Sequence, residues 1–351
     1  MRFGHFFYPM KFDDSKDHEE IQNCLHEAEL VESLGMDAIW FAEHYFTGEC
    51  VYGDPLVFAG AIAVKTKTIL LGFGILELPI HNPVRLAIQT SLLDNLSQGR
   101  LIVGTAKGSN YNAFEYLGFG SDPRDNNEQM EEAEDLLIKA WTNDNIDFQG
   151  KYWQVTFPSI RPRPYQKPHP PLARACIQNE SIQEMARIGR PILLRGGSIN
   201  IVKAKIELYR DTMASEGFSE QRIEENLDQI WVWQEMHLAE TDDEALNDFI
   251  PVHHDAYQKM ETIRQKWNPV NITMSTQTPP LSPAQYGETP NPDSSENLIG
   301  SPKRIAEHIE LMQEAGIRNL MLTNRGLMST EKTAASLKLL NQKVMPFFQN
   351  T

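Results

Sequence analysis

The feature that most constrains the fold is a repeated alternation between short apolar runs and longer helical patterns. The runs with the length and composition of strands are residues 3–7, 39–47, 68–78, 100–105, 172–176, 191–194, 229–238 and 319–323. Strands separated by helices pair in parallel, because a parallel pair needs a long crossover connection. We therefore predict an α/β fold, a single (β/α)8 TIM-type barrel domain that spans residues 1–351. An open doubly wound sheet is the alternative, but it requires a glycine-rich turn where this chain has Tyr8-Pro9-Met10.

Two less regular segments predict insertions after the fourth and seventh strands. Residues 108–127 form a glycine-rich stretch that we interpret as a loop, and residues 148–155 have the pattern of a small hairpin. Residues 268–300 are rich in Pro, Ser, Thr and Asn. We interpret them as a long mobile loop within the domain, which could act as a lid.

Composition excludes several classes of function. The formal net charge is -16 and no long basic run interrupts it, so neither nucleic acid nor an anionic membrane surface is expected as a partner. The three cysteines have no Cys-x-x-Cys spacing, so we expect no disulfide framework and no metal site, and a reducing cytoplasmic location. No signal peptide is recognisable, and no apolar run approaches the roughly 20 residues of a membrane helix.

A carboxylate and an imidazole follow the second strand. Glu43 and His44 come where an apolar run leaves the predicted sheet, and the carboxyl ends of barrel strands are where active sites lie. His44 is the stronger candidate, because imidazole exchanges protons near neutral pH. The local residues alone are also consistent with a surface loop that begins at this point.

Several motifs together resemble the bacterial luciferase-like flavin monooxygenases. They are Glu43-His44-Tyr45-Phe46-Thr47, Gly53-Asp54-Pro55, Leu78-Pro79, His81-Asn82-Pro83-Val84-Arg85, Leu92-Leu93-Asp94-Asn95-Leu96-Ser97-Gln98-Gly99-Arg100, Gly104-Thr105-Ala106-Lys107-Gly108, Ser301-Pro302, Gly316-Ile317-Arg318-Asn319 and Val344-Met345-Pro346. The resemblance covers nearly the whole chain. It implies a barrel with insertions, reduced FMN delivered by a separate flavin reductase, dioxygen activation as a flavin hydroperoxide, and a dimer formed through the first helices.

The resemblance also implies roles for individual residues. His44 matches the family's active-site histidine, and Glu43 would orient His44 or the neighbouring backbone. Tyr45 stands where light-emitting relatives have a second histidine, which argues against luciferase activity. Ala106 occupies the position of a reactive cysteine near the flavin. The bond Gly74-Ile75 matches a non-proline cis peptide on which the flavin ring would lie.

Phosphate binding calls for cations or backbone amides at loop ends. Lys107 falls where the family has an arginine for the FMN phosphate. Gln178, Asn179 and Ser181 follow the fifth strand and begin a helix, where amides and a hydroxyl could face a phosphate; a plain helix cap is the simpler interpretation. Arg195 follows the sixth strand and could meet the phosphate, the flavin ring or an acidic substrate.

Together these residues predict a two-component, FMN-dependent monooxygenase that acts on a small organic substrate. Aldehyde oxidation, Baeyer-Villiger insertion and hydroxylation all stay open, because loops on one barrel change its substrate. Two alternatives remain: a deazaflavin- or FMN-dependent hydride-transfer enzyme, and a non-catalytic flavin-binding subunit.

Overall fold

The computed structural model describes residues 1–124, 126–270, 297–324 and 328–349. Its strands are β1 (Arg2–Phe7), β2 (Ala38–Phe41), β3 (Leu70–Phe73), β4 (Leu76–Glu77), β5 (Leu101–Ala106), β6 (Ile146–Gln149), β7 (Gln154–Phe157), β8 (Leu172–Ala175), β9 (Ile192–Arg195), β10 (Trp231–Leu238), β11 (Leu298–Gly300) and β12 (Asn319–Thr323). All of them pair in parallel except the β6–β7 hairpin.

Eight of these strands close a barrel in the order β1, β2, β3, β5, β8, β9, β10, β12, with β12 returning to β1. The helices are α1 (Asp17–Ser33), α2 (Pro55–Lys65), α3 (Pro83–Leu96), α4 (Ala113–Gly118), α5 (Asn126–Thr142), α6 (Asn179–Arg187), α7 (Ile199–Ser215), α8 (Glu220–Leu227), α9 (Asp242–Trp267), α10 (Pro302–Glu314) and α11 (Thr330–Lys343). The predicted barrel is therefore confirmed. No helix in the described ranges is long and apolar enough to cross a bilayer.

The barrel interior is filled by large side chains from alternate positions of the strands. Trp40 and Trp231 pack there edge to face, with ring centroids 5.3 Å apart. Gly72 makes room for Trp40, since a Cβ at that position would lie 2.4 Å from the Trp40 ring. Gly104 lets two strands approach closely, because a Cβ there would lie 2.0 Å from the carbonyl oxygen of Phe73. The interior is thus a packed core, and ligands must bind at an end of the barrel.

Several local predictions need correction. The segment predicted as a loop over 108–127 contains α4, in which Ala113, Phe114 and Tyr116 are buried, and α8 is a helix that the sequence did not predict. The predicted third strand is divided into β3 and β4, and the Gly74–Ile75 peptide between them is cis, as the resemblance implies. The end of the predicted mobile loop forms β11, while residues 271–296 lie outside the described residues.

Candidate active site

A cavity of about 620 Å³ opens at the carboxyl ends of the barrel strands. Much of its wall is apolar or aromatic and comes from Phe6, Tyr8, Met10, Ile75, Trp233, Tyr257, Met260 and Met321. Polar groups also reach it, among them His44, Asn112, Arg195, Glu235 and Arg264. A mostly apolar cleft with a few polar groups at this end of a barrel is the expected place for a bound ligand, so we take it as the candidate active site.

Three polar groups from two segments of the chain lie on one side of the His44 ring. Its Nδ1 atom lies 3.4 Å from Oε2 of Glu115, 3.9 Å from Oε2 of Glu49 and 3.2 Å from Nδ2 of Asn112. The Tyr8 ring meets the imidazole edge to face at 5.4 Å. Burial alone would lower the pKa of His44, but the two carboxylates outweigh burial and raise it to about 9. The imidazole is therefore positively charged at neutral pH and can donate a proton.

Behind His44 lie two buried carboxyl groups, those of Glu77 and Glu115. Donor atoms of His44, Glu77 and Glu115 all lie within 4.8 Å of one another. Burial raises the pKa of Glu77 well above its usual range, and the nearby Glu115 adds to the effect. Burial also raises the pKa of Glu115, although the His44 cation and the N–H of Tyr45 oppose it. Burial therefore favours the neutral form of Glu77 most strongly, whereas His44 and the N–H of Tyr45 favour the ionised form of Glu115.

This group is also the place in the described part of the chain where acidic and imidazole side chains come close enough to hold a metal ion. It supplies one ligand atom from each of three residues, and Glu115 already accepts the backbone N–H of Tyr45 over 2.6 Å. Hydrogen bonds thus already occupy Glu115, whereas Oε2 of Glu77 has no hydrogen-bond partner among the described residues.

Glu43 does not line the cavity. Its buried carboxylate accepts hydrogen bonds from the Tyr45 hydroxyl at 2.6 Å, the Glu77 backbone N–H at 2.5 Å and His81 Nε2 at 2.7 Å. Burial opposes ionisation of Glu43, but His81 and the hydrogen bonds outweigh it and the pKa of Glu43 falls below its usual value. Burial likewise opposes protonation of His81, yet Glu43 raises the pKa of that imidazole. Glu43 thus fastens the end of β2 to the segment around β4.

A second ion pair joins helix α9 to the rim of the cavity. Nη2 of Arg264 lies 3.4 Å from Oε1 of Glu49, and its Nε donates to Oδ1 of Asn112 over 2.9 Å. Nδ2 of Asn112 donates to the other oxygen of Glu49 over 2.7 Å, and the Tyr8 hydroxyl also donates to Glu49. Glu49 is completely buried, so these contacts replace the water that its charge would otherwise require.

The residues predicted to bind phosphate occupy neighbouring strand ends. Thr105 of β5 is in register with Arg174 of β8, so Lys107 and the residues after Cys176 emerge side by side. Lys107, Gln178 and Asn179 are exposed. The first turn of α6 has no side-chain cap, and the hydroxyl of Ser181 donates to the carbonyl of Gln178 at 2.8 Å.

Arg195, at the end of β9, is exposed and lies over the Trp233 ring at 5.8 Å. Of the predicted site residues, His44, Gly74, Ile75 and Arg195 line the cavity. The others do not, namely Glu43, Ala106, Lys107, Gln178, Asn179 and Ser181, although Cys176, Ile177 and Ser109 near them do.

Sequence reasoning missed most partners of His44. Glu77 carried a signal, because a carboxylate within the apolar run Leu76-Glu77-Leu78 must be buried and compensated. Asn112 and Glu115 lie in a stretch predicted as a loop, and Arg264 lies near the end of the long helix α9. Their convergence depends on tertiary packing, so no local pattern revealed it.

The sequence profile described as luciferase-like monooxygenase matches residues 1–319. The chain belongs to this family. Among curated relatives, limonene 1,2-monooxygenase of Rhodococcus erythropolis is 26% identical over 99% of this chain and 86% of that protein. The oxygenase component of the flavin-dependent trigonelline monooxygenase of Acinetobacter baylyi is 23% identical over 100% of this chain and 96% of that protein.

Solved structures agree on the fold. The oxygenating constituent of 3,6-diketocamphane monooxygenase from Pseudomonas putida, a complex with FMN, superposes with a TM-score of 0.77 at 19% identity and covers 99% of this chain and 98% of that one. The coenzyme F420-dependent tetrahydromethanopterin reductase of Methanopyrus kandleri gives 0.70 at 16% identity, with 99% of each chain covered. Similarity at this level establishes the luciferase-like barrel and leaves the choice of cofactor to the chemistry of the site.

Proposed function

We propose that this luciferase-like protein is the oxygenase component of a two-component system, which takes reduced FMN from a separate flavin reductase and inserts one atom of dioxygen into a small organic substrate. The observation that carries the proposal is the position of His44 on the wall of an otherwise largely apolar cavity, with Oε2 of Glu115 3.4 Å from its Nδ1. An apolar cavity with one placed proton donor suits an oxygenation that must exclude bulk water.

The residues present fit a flavin mononucleotide. Phe6, Ile75, Leu193 and Met321 offer an apolar floor for a flat ring system, next to the backbone of Gly74. Lys107, and the first turn of α6 with its free amides, offer positive charge for a phosphate. Arg195 is a further cation on the cavity wall. When bound, the reduced flavin would supply the electrons that activate dioxygen.

The chain's own groups would bind, orient and transfer protons. His44 would donate a proton into the cavity and recover it from solvent or substrate, while Glu115 keeps the ring in place. Tyr8, Tyr257 and Met260 would cover the substrate and exclude water. Glu43 would act indirectly, by holding the segment that carries His44.

We also propose that the protein is a homodimer. Five apolar side chains of the adjacent helices α2 and α3 are exposed, namely Val57, Val64, Ile88, Leu92 and Leu96. We call these residues the α2–α3 face. Exposed apolar side chains grouped on two adjacent helices are typical of an interface between subunits. The three buried free cysteines fit a reducing, cytoplasmic location.

Hydride transfer with a deazaflavin is the second candidate, and the F420-dependent structural neighbour favours it. It needs no activation of dioxygen. A non-catalytic flavin-binding subunit is less well supported, because such a chain would have no use for the buried carboxylates that keep His44 charged.

The deciding experiment compares cofactors and traces oxygen. Purified protein is titrated anaerobically with reduced FMN and with reduced deazaflavin, then exposed to ¹⁸O₂ in the presence of alkene, ketone and aldehyde candidates. We expect tight binding of reduced FMN and one labelled oxygen atom in a product. Binding of the reduced deazaflavin alone, with substrate reduction and no label, would overturn the oxygenase proposal.

A further inference from the structure

We propose that Glu115 is the positioning residue of His44, and that its carboxylate keeps the ring proton on Nδ1 so that Nε2 exchanges protons with the cavity. The inference rests on the proposed function only for the proton transfer assigned to His44. The contacts that support it are those of the flavin-free protein.

The two oxygens of Glu115 fix the backbone and the ring at once. Oε1 accepts the N–H of Tyr45 at 2.6 Å, and Oε2 lies 3.4 Å from Nδ1 of His44. Glu115 is 1% exposed and comes from the short helix α4, so packing holds the carboxylate in place. A carboxylate that faces one ring nitrogen selects the tautomer and sets the direction of the other nitrogen.

Asn112 is the competing partner, because its Nδ2 lies 3.2 Å from the same Nδ1. The orientation of this amide is set by Arg264, which can only donate and bonds to Oδ1 at 2.9 Å. Nδ2 of Asn112 therefore faces His44 and Glu49, and its hydrogen bond to Glu49 is the shorter at 2.7 Å. The Glu115 carboxylate attracts the Nδ1 proton more strongly than the Asn112 amide N–H repels it, so Glu115 decides the tautomer of His44.

Charge pairing singles out Glu115 among the acids around His44. The polar groups that face the imidazole, from every segment packed against it, are Tyr8, Glu49, Glu77, Asn112, Glu115 and, through Glu49, Arg264. Arg264 compensates Glu49, and burial raises the pKa of Glu77 and so favours its neutral form. Glu115 is then the carboxylate whose charge the His44 cation balances.

The test observes His44 directly. Protein labelled with ¹⁵N-histidine and free of flavin is titrated by NMR, and the His44 signals are assigned by their loss in His44→Gln. We expect neutral His44 to carry its proton on Nδ1 in the wild type. In Glu115→Gln the amide N–H donates to Nδ1 instead, so the proton moves to Nε2 and the apparent pKa of His44 falls by at least about one unit, a tenfold loss of proton affinity.

Glu77→Gln is the matched control, because it replaces the other buried acid near His44 with an amide of the same size. It should leave the tautomer of His44 unchanged and lower its pKa less than Glu115→Gln does. If Glu115→Gln keeps the wild-type tautomer and pKa, the proposal is wrong, as it is if the wild type already carries the proton on Nε2.

Glu115→Asp serves where the amide variant does not fold. It keeps the charge but is one methylene shorter, so the tautomer should persist while the pKa falls partway; an unchanged pKa would contradict the proposal. The NMR titration uses flavin-free protein, so a negative result there does not contradict the oxygenase proposal. Likewise, a failure to incorporate ¹⁸O does not contradict the role of Glu115.

Discussion

The backbone N–H of Tyr45 donates to Oε1 of Glu115 over 2.6 Å, although the two residues are 70 positions apart in the chain. Tyr45 follows His44 directly, so the segment between β5 and β8 fixes the loop that begins after β2. The candidate active site is therefore assembled from two loops that leave β2 and β5, strands that β3 separates, at the same end of the barrel.

Removal of the His44 imidazole should abolish most of the activity without releasing the cofactor. General acid–base groups contribute roughly 10² to 10⁴-fold to a rate, so we expect a loss of that order in oxygenation by His44→Ala. Binding of reduced FMN, measured by fluorescence quenching, should change little. His254→Ala, at an exposed histidine of α9, is the control. Equal rates in the two variants would remove His44 from the chemistry.

The raised pKa of His44 makes stability depend on pH in a defined window. The folded value is about 9 against an ordinary 6.5, so this contribution is fully present below pH 6.5 and is lost as the pH rises through 9. It amounts to roughly 3 kcal/mol in the free energy of unfolding. Urea unfolding of wild type and His44→Gln from pH 6 to 10 measures it as a difference. A constant difference across that range would contradict the assignment.

Lys107 should discriminate FMN from riboflavin. If its charge faces the phosphate, Lys107→Ala weakens binding of FMN about tenfold or more, while affinity for riboflavin, which lacks the phosphate, stays the same. Isothermal titration with both flavins gives the comparison. Lys259→Ala, at an exposed lysine of α9, controls for loss of general charge. Equal weakening of both flavins would mean that Lys107 acts on the fold instead.

The α2–α3 face should mediate association. Leu92 is 48% exposed, and Leu92→Glu would place a charge in the centre of an apolar interface, so we expect the mass in sedimentation experiments to halve. Ile201→Glu changes a residue of α7 that is 57% exposed and should leave the mass unchanged. Wild-type protein that sediments as a monomer at all concentrations would rule out the dimer.

Gly104 should tolerate no side chain. The Cβ of Gly104→Ala would meet the carbonyl oxygen of Phe73 at 2.0 Å, and backbone cannot move aside as a flexible side chain can. We expect a loss of about 1–3 kcal/mol in the free energy of unfolding. Gly197→Ala, whose Cβ would meet nothing within 4 Å, should be neutral. Comparable urea midpoints for the two variants would contradict this prediction and would mean that β3 and β5 move apart to accept the added methyl group.

The sequence predicted the barrel well, because apolar runs and helix caps such as Asp54, Asn82 and Ser301 are local signals. It also placed His44 at a strand end. It could not predict the partners of His44, since Glu115 and Arg264 reach it only through tertiary packing. The same limit applies to Glu43: its position beside His44 suggested chemistry, whereas its side chain turns towards His81.

Arg264 belongs to a helix that both walls the cavity and neutralises the acid next to His44. A ligand that shifts α9 would change the charge balance around the imidazole, and by reciprocity the protonation of His44 would change the affinity for that ligand. We therefore expect occupancy of the cavity and the proton affinity of His44 to be linked. The protonation of His44 would then respond to whether a ligand fills the cavity.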